Sequence, residues 1–308
     1  MCTLPNDGES TSVYYSRTPD IRSTLAGVFT EDFYTGRIYY CDSQNYGATL
    51  VAQPPSGGMG AGYYGLGGWD SWNTQNGTGL VLVATSFRMQ GMWFCDMTTV
   101  SSCVESAFIP FPKTYCESLR PTGTCNPYGT VLDASLNVYW VDPNNTVFTE
   151  CTSASDYTSC STLPASSALK GYEPVGLALI NGTSPYLPKG WHFYVTDNSC
   201  SGNVWMGSTM SLSLVTSVGD SLEGIGSSTR DAGNTQQLFV GVTGLCSHTP
   251  PKILDISNAS QIVSTPFKLQ SSLIGISTCV GQCLQDKPAS RMLFFSSGGT
   301  DVSADATF

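Results

Sequence analysis

The chain is poor in charged side chains and histidines, and it has no long apolar run. Only 12% of its 308 residues are Asp, Glu, Lys or Arg, and only two are His. Long exposed helices need charged surface residues, so this composition disfavours them. The longest apolar stretches, such as Gly79 to Ala84 and Pro174 to Ile180, are strand-length. Because a bilayer requires about 20 apolar residues in a helix, no membrane span is predicted.

Basic residues are scarcer than acidic ones. Thirteen Lys and Arg against 23 Asp and Glu give a net charge of −10, and no basic cluster is present. Nucleic acid is therefore excluded as a partner, because phosphate binding needs clustered cations. Met1 and Cys2 lead directly into polar sequence without a signal peptide, so we expect a mature or trimmed chain.

Twelve cysteines predict an oxidising compartment and a disulfide-stabilised chain. Short separations predict four bridged pairs: Cys95 with Cys103, Cys116 with Cys125, Cys151 with Cys160, and Cys279 with Cys283. The last spacing also suits a metal, but a zinc site normally needs a second ligand pair. We therefore predict no metal and no cofactor. The pairing of the other four stays open: Cys2, Cys41, Cys200 and Cys246.

Glycosylation acceptor triplets indicate the same compartment. The four acceptors are Asn76, Asn144, Asn181 and Asn258. Together with the cysteines, they predict a secreted, extracellular glycoprotein.

A short aromatic sequence motif repeats along the chain. It is clearest in the stretch from Leu136 to Cys151, where two apolar runs flank a Pro-Asn-Asn turn. Six copies of the first run end at residues 42, 96, 142, 197, 242 and 296. Each copy is aromatic and β-branched, as strands are, and a run containing small residues precedes it.

A period of about 45 to 55 residues with three or four strands is typical of a β-propeller blade. We therefore predict an all-β, six-bladed β-propeller forming one domain over residues 1–308. The closing strand would come from the N-terminus, at Thr11 to Tyr15. The alternative is two β-sandwiches in tandem. The predicted blades are 20–75, 76–127, 128–172, 173–219, 220–270, and 271–308 with 1–19.

The stretch from Gly57 to Trp69 is rich in glycine, and Gly60, Gly62 and Gly65 have GxGxxG spacing. No apolar strand leads into it and no helical pattern follows, so a phosphate-binding loop is not expected. We interpret this stretch as an outer connection.

The strands "RIYYCD" and "VYWVDPNN" resemble two six-bladed propeller families. Tyr139 to Asp142 is similar to the repeat of YWTD-type propellers. Arg37 before Ile-Tyr-Tyr, and Glu150 in "TVFTEC", are similar to the sugar-binding Arg and Glu of fungal fucose-binding-lectin-type propellers. No single copy carries both the Arg and the Glu. The second resemblance implies carbohydrate binding between blades.

An Asp ends four of the aromatic strands: Asp42, Asp96, Asp142 and Asp197. These residues suggest either a ring of carboxylates that binds calcium or a polar ligand, or a set of turn caps. We favour caps, because Asp commonly accepts backbone N–H bonds in turns. Catalysis is less well supported, because no G-x-S-x-G motif is present and His192 and His248 are the only histidines.

Carbohydrate binding suits the residue types better, since sugar rings stack on aromatic faces and sugar hydroxyls bond to planar polar groups. The candidate ligand-binding residues are Arg37, Tyr39, Trp93, Tyr139, Trp140 and Glu150. For any one of these aromatics, packing between blades is the simpler interpretation.

The favoured function is non-catalytic binding of an extracellular glycan or protein, as a lectin. The second hypothesis is a structural protein that assembles from stacked propellers as a homo-oligomer. The third is a secreted hydrolase or oxidoreductase.

Overall fold

The structure is a computed structural model. It describes residues 2–3, 10–17, 26–32, 37–42, 48–53, 63–70, 80–97, 105–182, 187–227, 238–258, 260–264, 273–281, 290–297 and 301–305. Within these ranges, the strands pair antiparallel into six four-stranded sheets, which we number in chain order.

Sheets 1 to 3 each consist of four strands that follow one another along the chain. Sheet 1 contains Ser10–Arg17, Ala26–Asp32, Ile38–Asp42 and Ala48–Ala52. Sheet 2 contains Tyr63–Asp70, Leu80–Ser86, Gly91–Met97 and Glu105–Pro110. Sheet 3 contains Tyr128–Leu132, Val138–Asp142, Val147–Cys151 and Cys160–Thr162.

Sheets 4 and 5 continue the pattern, and sheet 6 combines both ends of the chain. Sheet 4 contains Pro174–Gly182, Gly190–Asp197, Asn203–Gly207 and Leu212–Ser217. Sheet 5 contains Leu222–Ser227, Leu238–Val242, Lys252–Asp255 and Val263–Ser264. Sheet 6 contains Leu273–Gly281, Ser290–Ser297 and Asp301–Asp305, and Cys2–Thr3 pairs with its third strand.

Helices are few and short. The described residues hold one α-helix, Lys113–Ser118, and two 3₁₀ helices, Ser153–Ser155 and Pro164–Leu169. None of the helices in the described ranges is long and apolar enough to cross a membrane.

The first strands of the sheets contact one another in sequence. Each packs against the first strand of the next sheet, and the first strand of sheet 6 contacts that of sheet 1. The predicted all-β propeller architecture is confirmed. We call face A the side that carries the connections from first to second and from third to fourth strands, and face B the opposite side.

Small residues allow the first strands to approach closely. A Cβ atom added to Gly65 would lie 2.1 Å from Oγ1 of Thr130, and one added to Gly67 would lie 2.5 Å from the Thr130 carbonyl oxygen. These glycines belong to the innermost strand of sheet 2. The interpretation of Gly57 to Trp69 as an outer connection is therefore wrong from Tyr63 onward, because glycine serves here for close backbone approach.

The aromatic repeat does not keep one position within the sheets. Its first two copies form the third strands of sheets 1 and 2, whereas the later copies form the second strands of sheets 3 to 6. The prediction that Thr11 to Tyr15 supplies the closing strand is also wrong. Thr11 to Tyr15 lies in the first strand of sheet 1 and pairs with Ala26–Asp32, while Cys2–Thr3 joins sheet 6.

The core lies between neighbouring sheets. Tyr139 packs with Phe148 and with Phe193 of sheet 4, whereas Trp140 packs with Phe111 on the sheet 2 side. Adjacent strand residues thus serve opposite faces of sheet 3, as strand geometry requires.

Three disulfides are described, so the predicted disulfide stabilisation is confirmed. Two join cysteines nine residues apart: Cys116 with Cys125, and Cys151 with Cys160. The third joins Cys200 with Cys246, 46 residues apart, and links the face B turns of sheets 4 and 5. Cys95 is also disulfide-bonded. Cys103 and Cys283 lie outside the described residues, and the side chain of Cys279 is not described.

The Cys200–Cys246 bridge should stabilise the fold more than the Cys151–Cys160 bridge. Loop-closure entropy predicts a loss of about 4 kcal/mol of unfolding free energy when both Cys200 and Cys246 become Ser, and about 3 kcal/mol for the same change at Cys151 and Cys160. Urea denaturation of the two double variants measures the difference. The opposite order would show that the longer bridge contributes little to folding.

Candidate functional site

Asp142 is a turn cap at face B. Its carboxylate accepts hydrogen bonds from the backbone N–H of Asn126 (2.8 Å), the backbone N–H of Asn145 (2.9 Å) and the Asn145 side-chain amide (2.7 Å). The side chain is fully buried. Burial raises the pKa of Asp142 although these hydrogen bonds lower it.

Asp197 has the same role in sheet 4. It accepts hydrogen bonds from the backbone N–H groups of Glu173 (2.9 Å) and Ser199 (3.0 Å), and from the hydroxyls of Ser199 and Ser201. Like Asp142, it ends a second strand at face B.

The four Asp residues do not form a ring. Asp42 and Asp96 end third strands, so they lie at face A, opposite Asp142 and Asp197. Asp96 is exposed, and the side chain of Asp42 lies outside those described. No group of three or more metal-ligating side chains occurs among the described residues.

The four aromatic candidates are buried. Tyr39, Trp93 and Tyr139 expose 3 to 5% of their surface, and Trp140 exposes none. Tyr139 packs on Phe193, Trp140 packs on Phe111, and Trp93 belongs to the core between sheets 1 and 2. A ligand would have to displace core contacts to stack on these three rings.

Arg37 and Glu150 are half-buried and far apart. Arg37 precedes the third strand of sheet 1 at face B, and Glu150 lies near the end of the third strand of sheet 3 at face A. They therefore belong to separate surfaces, and the structure does not bring the predicted Arg and Glu together.

Two carboxylates converge on one hydroxyl at face A. The Tyr139 hydroxyl is 2.7 Å from Oε1 of Glu150 and 3.0 Å from Oδ2 of Asp133. Because it carries one proton, it can donate fully to only one of them at a time. Burial, and then the bond to Glu150, raise the pKa of Tyr139. We call Asp133, Tyr139 and Glu150 the acidic cluster.

Asp133 and Glu150 differ in how fully they are bonded. Asp133 also accepts hydrogen bonds from the backbone N–H groups of Ser135 (2.8 Å) and Asn137 (2.9 Å) and from the Asn137 side chain (3.1 Å). Glu150 accepts only from Tyr139 within the described part of the chain. Glu150 therefore has more capacity to accept a bond from a ligand.

A disulfide-closed loop supports this arrangement. The loop between Cys151 and Cys160 packs on the connection that contains Asp133. Its Ser153 backbone N–H donates to Oδ1 of Asn137 (3.0 Å), and its Tyr157 hydroxyl donates to the Leu136 carbonyl (2.9 Å). These bonds fix the Asp133 connection at face A.

An exposed tryptophan lies at face A on the side of sheet 4 that faces the acidic cluster. We call the face A end of the junction between sheets 3 and 4 the cleft. Trp191 is 53% exposed and precedes Phe193 by two residues in the second strand of sheet 4. The pairing in this region is continuous, so both side chains point toward sheet 3. The Phe193 ring lies 4.8 Å from the Tyr139 ring, and Asn181 pairs directly with Trp191.

Sequence reasoning missed Asp133 and Trp191. The Asp-Ala-Ser-Leu-Asn stretch has the composition of an Asp-initiated turn, which is a usable signal for Asp133. Trp191 has no such signal, because the sequence contains six tryptophans and only tertiary structure shows which of them is exposed. Of the histidines, His192 faces sheet 5 and its Nε2 lies 3.1 Å from the Lys189 carbonyl oxygen, and His248 lies in a face B turn.

Three predicted glycosylation acceptors lie within the described residues. Asn144 and Asn181 are exposed, and Asn258 is half-buried. Asn76 lies outside the described residues.

Replacing Asp142 with Ala should destabilise the fold much more than replacing Asp96 with Ala. The first change leaves buried N–H donors unpaired, which costs about 1–3 kcal/mol of unfolding free energy. The second removes an exposed side chain and should cost less than about 0.5 kcal/mol. Thermal and urea unfolding of both variants give the comparison, and equal losses would contradict the assignment of Asp142 as a cap.

No protein-family model and no curated protein sequence matches the chain. Membership of the YWTD-type or fucose-binding-lectin-type families is therefore not shown.

Solved structures do match, at low identity. A crystal structure of inactive virginiamycin B lyase from Staphylococcus aureus is 13% identical with a TM-score of 0.55, and the match covers 98% of this chain and 86% of that one. A putative gluconolactonase is 12% identical with a TM-score of 0.52, covering 99% and 96%. A luciferin-regenerating enzyme is 11% identical with a TM-score of 0.51, covering 96% and 87%. At these identities the similarity shows the propeller fold alone.

Proposed function

We propose that the six sheets are the six blades of one ring, and that Cys2–Thr3 completes the last blade. The chain of contacts between first strands supports this proposal, as does the pairing of Thr3 with Asp301. Six sheets in one closed ring would make residues 1–308 a single domain.

Changing Thr3 to Pro should weaken the last blade selectively, because proline cannot donate a backbone hydrogen bond. We expect faster amide hydrogen exchange in Asp301–Asp305 and unchanged exchange in Ser10–Arg17. Equal effects on both strands, or none on Asp301–Asp305, would contradict the proposed closure.

We further propose that the protein is a secreted, glycosylated binding protein whose ligand is a carbohydrate. The observation that carries this proposal is the exposed Trp191 on the cleft that also contains the acidic cluster. Disulfides among the described cysteines support a secreted origin, because such bonds persist in oxidising compartments.

The chemistry of the cleft suits a sugar. The Trp191 indole offers an apolar face for the C–H side of a pyranose. Glu150 and Asp133 offer hydrogen-bond acceptors, so the ligand must supply donors, as vicinal sugar hydroxyls do. The net charge of −10 disfavours acidic sugars, since like charges repel at long range.

The site is therefore proposed as Glu150, Asp133 and Trp191, with Tyr139 holding the carboxylates in place. Arg37, Tyr39 and Trp93, in sheets 1 and 2, and Trp140, on the sheet 2 side of sheet 3, remain predicted ligand contacts of other sites. Their positions give them no part in this cleft.

A glycan array with the native protein should show selective binding to neutral sugars. Trp191→Ala and Glu150→Gln should each weaken binding at least about tenfold, which corresponds to one good contact of about 1.4 kcal/mol. Leu214→Ala is the matched control, because Leu214 is exposed on the outer strand of the same sheet, away from the cleft.

The predicted glycosylation at Asn181 needs its own control, because Asn181 pairs with Trp191. An Asn181→Gln variant should bind the same sugars as the native protein. Folded native and Asn181→Gln proteins that bind no glycan would overturn the carbohydrate proposal.

Assembly into larger particles is the second candidate function. Met210 and Leu214 are 67% and 57% exposed beside the outer edge of sheet 4, and Leu212–Ser217 contains no charged residue. Uncharged edge strands can pair with other chains. Light scattering in the array buffer decides between the candidates, since growth of particle size with concentration in the absence of glycan binding would favour assembly.

A further inference from the structure

The cysteines whose burial the structure describes differ in their exposure to solvent. Cys200 is exposed, and Cys160 and Cys246 are half-buried. The remaining ones are buried: Cys95, Cys116, Cys125 and Cys151. Disulfide exchange requires a thiolate to reach a sulfur atom, so access decides which bridge reacts. Of the three described bridges, Cys200–Cys246 is therefore the most open to attack.

The turn that carries Cys200 is held in place by its own hydrogen bonds. Cys200 lies between Ser199 and Ser201, whose hydroxyls both donate to Oδ2 of Asp197. The Ser199 backbone N–H donates to Oδ1 of the same carboxylate at 3.0 Å, and the Gly202 N–H donates to the Ser199 carbonyl at 2.9 Å. The chain is thus fixed on both sides of Cys200 without help from the disulfide.

The turn that carries Cys246 is capped in a similar way. The Cys246 backbone N–H donates to Oδ1 of Asp220 at 3.1 Å, and the Ser247 hydroxyl donates to Oδ2. The Leu245 N–H donates to Oγ1 of Thr243 at 3.2 Å. These bonds keep Cys246 in position when the disulfide is open.

A short segment of backbone also joins the two turns without the disulfide. The Gly219 N–H donates to the Ser201 carbonyl at 3.0 Å, and the next residue, Asp220, binds the Cys246 N–H. A Cβ atom added to Gly202 would lie 1.8 Å from the Asp220 carbonyl oxygen, so the two backbones are in close contact. Cys200 and Cys246 therefore stay adjacent after the S–S bond breaks.

We propose that Cys200 is a modification site, at which a small external thiol opens the bridge and forms a mixed disulfide. The external thiolate bonds to the Cys200 sulfur, the S–S bond breaks, and Cys246 leaves as a thiolate that takes a proton from water. A second molecule of the thiol attacks the mixed disulfide. It releases the disulfide of the small thiol and leaves Cys200 reduced, so two thiol molecules supply the two electrons.

Attack at Cys200 is favoured over attack at Cys246 for two reasons. The first is access, because Cys200 is exposed and Cys246 is half-buried. The second is charge. The Asp220 carboxylate lies 3.1 Å from the Cys246 backbone nitrogen, and it repels an anionic thiolate that approaches from this side.

The modification removes the covalent link between the face B turns of sheets 4 and 5 and leaves the fold in place. Asp197 still caps the Cys200 turn, and Asp220 still caps the Cys246 turn. Because the two cysteines stay adjacent, the Cys246 thiolate can attack the mixed disulfide and expel the small thiol. The site is therefore reversible and needs no additional oxidant to return to the bridged form.

Peptide mapping by mass spectrometry tests the proposal on folded native protein, with reduced glutathione as the thiol at neutral pH and alkylation to trap free cysteines. We expect glutathione first on Cys200 and a free thiol at Cys246. The Cys116–Cys125 and Cys151–Cys160 bridges are internal controls. They should react at least about tenfold more slowly, because each ~1.4 kcal/mol of local opening slows attack about tenfold. Equal rates at the three bridges, or a first adduct on Cys246, would overturn the proposal.

Reversal of the modification gives a second measurement. Dilution of free glutathione should restore the Cys200–Cys246 bridge in the folded protein, whereas global unfolding on modification would contradict the proposed site. Cys246→Ser, loaded with oxidised glutathione, is the matched control. It should keep its adduct on dilution, because it lacks the thiol that expels glutathione. Loss of the adduct from this variant would show that another group resolves it. If the variant does not fold, the order of modification in the native protein decides alone.

Discussion

The close approach of the first strands is the constraint on which the rest of the structure depends. Among the described residues, glycine allows a first strand to meet the backbone of the next sheet at Gly67 against Thr130 and at Gly176 against Glu223. Threonine hydroxyls then bond across the same contacts, as between Thr85 and Thr130 at 2.7 Å. These contacts set the spacing between sheets, and the spacing in turn leaves room for the large aromatic residues further out.

The two faces of the molecule have different structural roles. Face B holds the buried aspartates and the Cys200–Cys246 bridge, which together fix the turns of sheets 4 and 5. Face A holds the cleft with Trp191 and the acidic cluster. Because rigid turns anchor one end of each strand, the connections at the other end are free to vary in length and to carry binding residues.

Glu223 and the acidic cluster show two ways of placing a carboxyl group. Asp133 and Glu150 share the Tyr139 hydroxyl at the rim of the protein, where solvent or a ligand can reach them. Glu223 lies at a bulge of an innermost strand, where its Oε2 atom is buried without a hydrogen-bond partner in the described structure. The first arrangement suits recognition of a ligand that donates hydrogen bonds.

The sequence by itself determined the class of the fold. Alternating aromatic strands and a period of about 50 residues indicate a propeller, and the spacing of Cys116 and Cys125 and of Cys151 and Cys160 matches two bridges in the structure. These features are local, because a strand pattern or a short loop closure depends on neighbouring residues.

Tertiary structure decided the positions within the fold. Aromatic strands of similar sequence occupy the third position in sheets 1 and 2 and the second position afterwards, so equivalent-looking aspartates lie on opposite faces. The sequence cannot show this, because the second and third strands of a sheet are both half-covered and favour the same residue types. Only the packing of the sheets shows that Trp140 is fully buried and that Trp191 is exposed.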